Sequence, residues 1–333
     1  MVYIYKKFVG NKTYYYLRIS KRKGNKVVIK DIAYLGTNID DVKRTLNNLP
    51  KYKDDIRKAY RTINNFIESN RYVEKIRGMK IKIDKYLNYE DLINVEACKL
   101  HFNTIFNKQD KNTKAEIFKN FIVEFAFNTT SIEGNTINLE EARNLLLENL
   151  TPKNKSLREI YDLQNTEKVF FEIINTNKEL NHKFIEYIHK GLMENIDLRA
   201  GYRNKDVRVI RSNFKATPAP YVNADMDILL KWYNKNKDNL HPLILASVFH
   251  HKFEKIHPFM DGNGRTGRML LNFILMKHKY PPTIIYKKER TDYLGVLREA
   301  DKSNLTELEK SIYLSLLSFI SNELNSTYWN IFL

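Results

Sequence analysis

From about residue 89 onward, apolar residues recur at helical spacing in one segment after another, which restricts the body of the chain to a mainly α architecture. The segments fall at roughly 89–107, 112–128, 138–149, 156–175, 181–195, 224–236, 242–256, 264–279, 291–302 and 306–324. Only residues 201–222 interrupt them, and with Val207, Val209, Pro218 and Pro220 they read as an extended hairpin, a β flap on a helical body. Ahead of that body, residues 2–9, 13–20 and 26–35 are rich in Tyr, Val, Ile and Phe. Gly10-Asn11-Lys12 and Lys21-Arg22-Lys23-Gly24-Asn25 separate them, which is the punctuation of a three-stranded antiparallel meander. The expected organisation is therefore a basic β meander over 1–37, a helical linker region over 38–88 with a break at Leu49-Pro50, and a helical domain over 89–325.

Charge separates the two ends. The chain of 333 residues carries a net charge of +17, yet residues 1–80 hold 20 Lys and Arg against 7 Asp and Glu, while the remaining residues hold 36 against 32. Tyr14, Tyr15 and Tyr16 amid these cations could stack on bases while the cations contact phosphates. An acidic protein partner suits the same patch, and a meander packed on the body with half-buried tyrosines is the simplest reading of all. The single Cys98 cannot form an internal disulfide and fits packing in a reducing cytoplasm. Apolar runs are short and broken by charge, so no membrane span is expected, and the N-terminus lacks the pattern of a signal peptide.

The chemistry concentrates in His257-Pro258-Phe259-Met260-Asp261-Gly262-Asn263-Gly264-Arg265-Thr266-Gly267-Arg268. A helix starting at Pro242 delivers His257 at its exit, and a second helix opens after the glycines. The N–H groups of a helix start, with the positive end of the dipole, make an anion site. Arg265 and Arg268, three positions apart, project from one face toward it. Histidine suits proton transfer near neutral pH, and a lone carboxylate such as Asp261 suits a Mg²⁺ ion that keeps most of its waters. His250 and His251 are adjacent and point different ways, which places them at the surface or in support of the loop rather than in a zinc site. The Asp-Gly-Asn-Gly stretch lacks the frame and closing Glu of a Ca²⁺ loop, and neither GxxxxGK(S/T) nor GxGxxG occurs.

Residues 257–268 match HPFx(D/E)GNGRxxR without a substitution, and on this motif the chain resembles the Fic (filamentation induced by cAMP) family. Gly201-Tyr202-Arg203, the flap and the segment from Tyr293 to Asp301 are similar to the same family, so that the resemblance covers roughly residues 90–325. It implies a Fic-type helical core with a β-hairpin flap, behind which the N-terminal meander is an addition. It also implies transfer of AMP from ATP to a Ser, Thr or Tyr hydroxyl of a protein, which can be the chain itself. His257 would be the general base and Asp261 the Mg²⁺ ligand. The backbone of Gly262, Asn263 and Gly264 would cradle the phosphates, with Arg265 and Arg268 on the leaving pyrophosphate. Phe259 would point inward, and residues 207–222 would align a target by strand addition.

Thr129-Thr130-Ser131-Ile132-Glu133-Gly134 matches (S/T)xxxE(G/N), the inhibitory-helix motif of class II members, which places the inhibitory helix at about 112–134. Glu133 would then form an ion pair with Arg268 and occupy the partner of the γ-phosphate. Among relatives the same glutamate can assist removal of AMP, other members transfer UMP, phosphocholine or phosphate, and homodimers occur. The phosphate-transferring branch departs from GNGR, which this chain retains. A nucleic-acid-binding regulator acting through the basic N-terminal segment is the reading from a different class.

Overall fold

A computed structural model describes residues 2–10, 12–24, 26–174, 176–207 and 215–333. Its strands β1 (Val2–Val9), β2 (Lys12–Lys23) and β3 (Lys26–Gly36) form an antiparallel sheet in that order. Ile4 pairs with Leu17, and Tyr16 with both Tyr5 and Tyr34. Alternation decides which side is covered: Val2, Ile4, Tyr15 and Leu17 are buried. They meet Ile39, Val42 and Leu46 of α1 (Ile39–Asn47), and Ile63 and Ile67 of α3 (Tyr60–Arg77), in a core of their own. A proline-led 3-10 turn at Pro50–Tyr52 and the short α2 (Lys53–Lys58) link those helices.

The far end of α3 enters a second, larger core through Val73 and Ile76. Thus one helix shares its length between the two cores. Tyr15 of β2 donates its hydroxyl to Glu74 at 3.1 Å, and Asn65 donates to the carbonyl of Trp329 at 2.7 Å, which fixes the meander to the helical body.

The body comprises α4 (Tyr89–Thr104), α5 (Lys111–Ile132), α6 (Leu139–Glu148), α7 (Leu157–Ile174), α8 (His182–Leu192), α9 (Val222–Asn236), α10 (Pro242–Ile256), α11 (Asn263–Lys277), α12 (Arg290–Ala300) and α13 (Lys310–Ile331). Asparagine or aspartate side chains cap the starts of α4, α5, α6 and α8 by accepting the free first-turn N–H groups. Helix α10 is largely buried, its polar Ser247, His250, His251 and Lys252 included, and lies at the centre of the body. Among the described residues no helix is long and apolar enough to cross a membrane.

Two helix ends differ from expectation, and the expected flap is covered only in part. Helix α5 runs to Ile132, past the end of the periodic segment at 128 and close to the 134 expected of the inhibitory helix, because Thr129–Ile132 are buried against other elements instead of ending in solvent. Helix α13 starts at Lys310 rather than 306 and extends to Ile331. The preceding segment is drawn off by the buried Lys252 amine, which donates to the carbonyls of Leu305 and Glu307 at 2.7 and 2.8 Å. Of the expected flap, residues 208–214 lie outside the described residues; residues 215–218 are irregular and lead into a 3-10 turn at Ala219–Tyr221 before α9.

Candidate active site

Helix α10 ends at His257, whose backbone is left-handed with φ 54° and ψ 60°. Pro258 cannot continue the helix, and the chain turns inward instead. Phe259 is fully buried and lies flat on the His189 ring of α8, centroids 3.6 Å apart. Asn263 closes the turn: its side chain accepts from the Phe259 N–H and donates to the Phe259 carbonyl, both at 2.8 Å. His189 Nε2 donates to the Asp261 carbonyl at 3.0 Å. Gly262 takes φ 73°, and a Cβ there would lie 2.6 Å from Met193 Sδ, so glycine is required by conformation and by space. No side chain caps the first-turn N–H groups at the start of α11.

His257 Nδ1 lies 3.4 Å from the Glu254 carbonyl, an acceptor, so Nδ1 carries the ring proton and Nε2 is the basic nitrogen. Burial lowers its pKa below the ordinary histidine value, which keeps the ring neutral at physiological pH. Arg203 secures the loop from outside α10. Its N–H donates to the Pro258 carbonyl and its Nε to the His257 carbonyl, each at 2.8 Å, and its Nη2 reaches Thr217.

The two arginines are buried, with side chains 2% and 4% exposed, whereas the Glu133 side chain at the end of α5 remains 29% exposed. Glu133 thus reaches in from the solvent side. Its carboxylate bridges both cations, accepting from Arg265 Nε at 2.9 Å and from Arg268 Nη2 at 2.7 Å. Burial pushes the Glu133 pKa up, but Arg265 and Arg268 outweigh it and hold the group below the ordinary carboxylate value. A Cβ on Gly264 would collide with Glu133 Oε1 and lie 2.9 Å from Arg268 Nη1, so this glycine makes room for the bridge.

Thr129 accepts from Arg268 Nε at its hydroxyl, 2.6 Å, and from Nη2 at its carbonyl, 2.9 Å. The first position of the (S/T)xxxE pattern therefore touches the same guanidinium as the last. Arg265 also pairs with the buried Asp162 of α7 and lies 3.7 Å from Asp261. Asp261 in turn pairs with Arg158 at the start of α7. Burial pushes the Asp261 pKa up, but Arg158 and Arg265 bring it below the ordinary value.

Behind α11, Gly267 packs where a Cβ would collide with Glu254 Oε1 and approach His250 Nδ1 to 2.9 Å. Burial pushes the Glu254 carboxyl up to about 7 and the His250 ring down to about 3. His250 and His251 are both buried, which excludes the surface alternative. His250 bonds the Tyr293 hydroxyl at 2.7 Å, and His251 bonds Tyr313 at 3.0 Å and Asp301 at 3.1 Å, so they pin α10 to α12 and α13.

The residues singled out in the sequence, His257, Asp261, Gly262, Asn263, Gly264, Arg265, Arg268 and Glu133, therefore converge. Asp162, Arg203, Arg158 and His189 join them from elements distant in sequence. Arg203 left a trace there within Gly201-Tyr202-Arg203, and Asp162 as a carboxylate amid the apolar positions Ile160, Leu163 and Val169.

Residues 179–275 match the Fic/DOC family. The chain is 32% identical over 225 residues to the Protein adenylyltransferase Fic of Aedes aegypti, an alignment covering 61% of this chain and 44% of that protein. It thus spans less than half the length of that curated relative. In fold it is similar to a Fic domain containing signaling protein from Bacteroides thetaiotaomicron, with a TM-score of 0.65 at 23% identity, covering 71% of this chain and 94% of the other. Fic-1 from C. elegans superposes with a TM-score of 0.59 at 23% identity, over 72% of this chain and 70% of the other.

Proposed function

We propose that this chain is a member of the Fic/DOC family and an autoinhibited protein adenylyltransferase that moves AMP from ATP to a Ser, Thr or Tyr hydroxyl of a protein. The observation that carries the reading is the single Glu133 carboxylate bridging Arg265 and Arg268 beside a neutral, oriented His257. A hydroxyl is a weak nucleophile until its proton leaves, and Nε2 of His257 takes that proton. The hydroxyl oxygen forms a bond to the α-phosphorus as the bond from that phosphorus to pyrophosphate breaks. The backbone of Gly262, Asn263 and Gly264 at the start of α11 holds the phosphates. Arg265 and Arg268 neutralise the charge that develops on the leaving group, in a buried setting where such stabilisation is strong.

Among the described residues no group of three or more carboxylate, His or Cys ligands assembles, so a Mg²⁺ here would rest on Asp261 alone, with water and phosphate oxygens completing its shell. Asp261 is held ionised, as such a ligand must be, and Arg158 would have to release it. The ion would supply charge neutralisation between the phosphates.

Inhibition follows from competition. While Glu133 occupies both guanidinium groups, a γ-phosphate cannot, and bidentate carboxylate pairing is strong and directional. A target presented beside the flap, a homodimer and a cytoplasmic setting with its ATP all belong to the same reading, as does removal of AMP assisted by Glu133.

The test is labelling from ATP marked at the α-phosphate, with intact mass as the second readout. Glu133→Gly is expected to raise labelling of the chain or of a lysate protein at least ten-fold, and adding His257→Ala to abolish it. Labelling that survives the loss of His257 would overturn the mechanism. A mass shift of UMP, phosphocholine or phosphate would replace AMP as the group transferred.

A further inference from the structure

We propose that the outer face of the N-terminal sheet binds single-stranded nucleic acid, its tyrosines stacking on bases and its lysines and arginines meeting phosphates. Strand register supplies the surface. Because Val2, Ile4, Tyr15 and Leu17 turn into the N-terminal core, the alternate residues Tyr3, Tyr5, Tyr14 and Tyr16 occupy the opposite face. Tyr34 of β3 pairs with Tyr16 and joins them. The Tyr34 ring lies 5.4 Å from that of Tyr16 and 6.5 Å from that of Tyr14, and Tyr34 is 50% exposed. Tyr15, the neighbour that the sequence grouped with them, faces inward and is engaged by Glu74.

Cations frame this aromatic strip. Lys7, Lys12 and Arg22 share the outer face and are exposed. Lys21, Arg22 and Lys26 lie beyond the Val2–Ile19 pair on the paired stretches of β2 and β3, and all three are exposed. The one carboxylate in the three strands, Asp31, is already taken by Arg18 at 2.5 Å. Arg18 also lies 3.4 Å over the Tyr5 ring. Among the described residues of the three strands no other carboxylate is present to satisfy the patch.

Charge complementarity calls for a polyanion, and the rings narrow the class. Flat aromatic faces interleaved with cations stack unpaired bases while the backbone follows the charges. A duplex hides its base faces, and an acidic protein engages the cations without using the rings.

Fluorescence anisotropy of the full chain with labelled single-stranded RNA and DNA of about 15 nucleotides tests this. Affinity is expected to fall steeply with salt. Tyr16→Ala with Tyr34→Ala should weaken binding about ten-fold per ring at an unchanged salt slope. Lys7→Glu with Arg22→Glu should lower the slope by about 1.4, the value for two phosphate contacts on a single strand. Far-UV circular dichroism checks that each variant retains its sheet. Absence of binding to either strand, equal affinity for the duplex, displacement by polyglutamate of equal charge, or indifference to the tyrosine changes would each overturn the proposal. None of these readouts depends on AMP transfer.

Discussion

The loop at residues 257–268 and the N-terminal meander both present cations and aromatic rings, yet they handle them in opposite ways. In the loop, Arg265 and Arg268 are buried and every approach is matched by an acceptor: Glu133, Asp162 and Thr129. Phe259 is stacked and fully enclosed. On the meander, Lys7, Lys12 and Arg22 are exposed, and Tyr34 shows half its surface. Water solvates an exposed cation at little cost, whereas a buried one demands a partner. A carboxylate that satisfies two buried arginines is therefore a structural requirement, and under the proposed reaction it would also be an obstacle to phosphate. The exposed cations carry no such obstacle and are ready for a polyanion.

The largest effect expected from this contrast is structural. Phe259→Ala should cost about 3–5 kcal/mol in urea unfolding, since it removes a buried ring and leaves a cavity against His189. A change as small as that of a surface residue would break the comparison.

Glu254→Gln comes next. With its folded pKa raised to about 7, Glu254 penalises the folded state increasingly as pH rises from the unfolded carboxyl value to about 7. The variant should therefore gain stability relative to wild type between pH 5 and pH 8; a pH-independent difference would show that Glu254 is not held neutral.

Glu133 has the opposite sign. Its folded pKa is lowered, so its contribution is present above the unfolded value and fades as pH falls through the folded one. The stability gap between wild type and Glu133→Gln should close in acid, and a gap that widens would contradict the bridge.

Arg158→Ala, in the Glu133→Gly background, should lower the Mg²⁺ concentration for half-maximal labelling by up to about five-fold, because an exposed ion pair to Asp261 is weak. An unchanged requirement would remove Asp261 from metal binding. The smallest effect belongs to Tyr34→Ala, expected within about 0.5 kcal/mol of wild type, which would sharpen the view of that face as a surface kept for a partner rather than for packing.

Legibility in the sequence followed the range of the interactions. The three strands and ten segments of the helical body were apparent from periodicity and turn residues, because those signals are local. The loop was apparent too, since its glycines, histidine and arginines are contiguous. Ends moved where tertiary contacts extended a helix, as at Ile132, or held a segment in a loop, as Lys252 does with Leu305 and Glu307. His250 and His251 were misjudged in part because an adjacent pair of polar rings resembles a surface, while Tyr293, Tyr313 and Asp301, which satisfy them, lie far along the chain.

By itself, the sequence determined the mainly α body, the meander, the loop at residues 257–268 and the separation of charge between the ends. Local spacing is enough for these. Tertiary structure alone decided that Glu133 spans two arginines rather than one, that Thr129 and Asp162 complete their shell, and that Arg203 fastens the loop from outside α10. It also decided which tyrosines of the meander face water. Buried charges must find partners wherever packing places them, and that placement depends on contacts between residues more than a hundred positions apart, which no window of sequence contains.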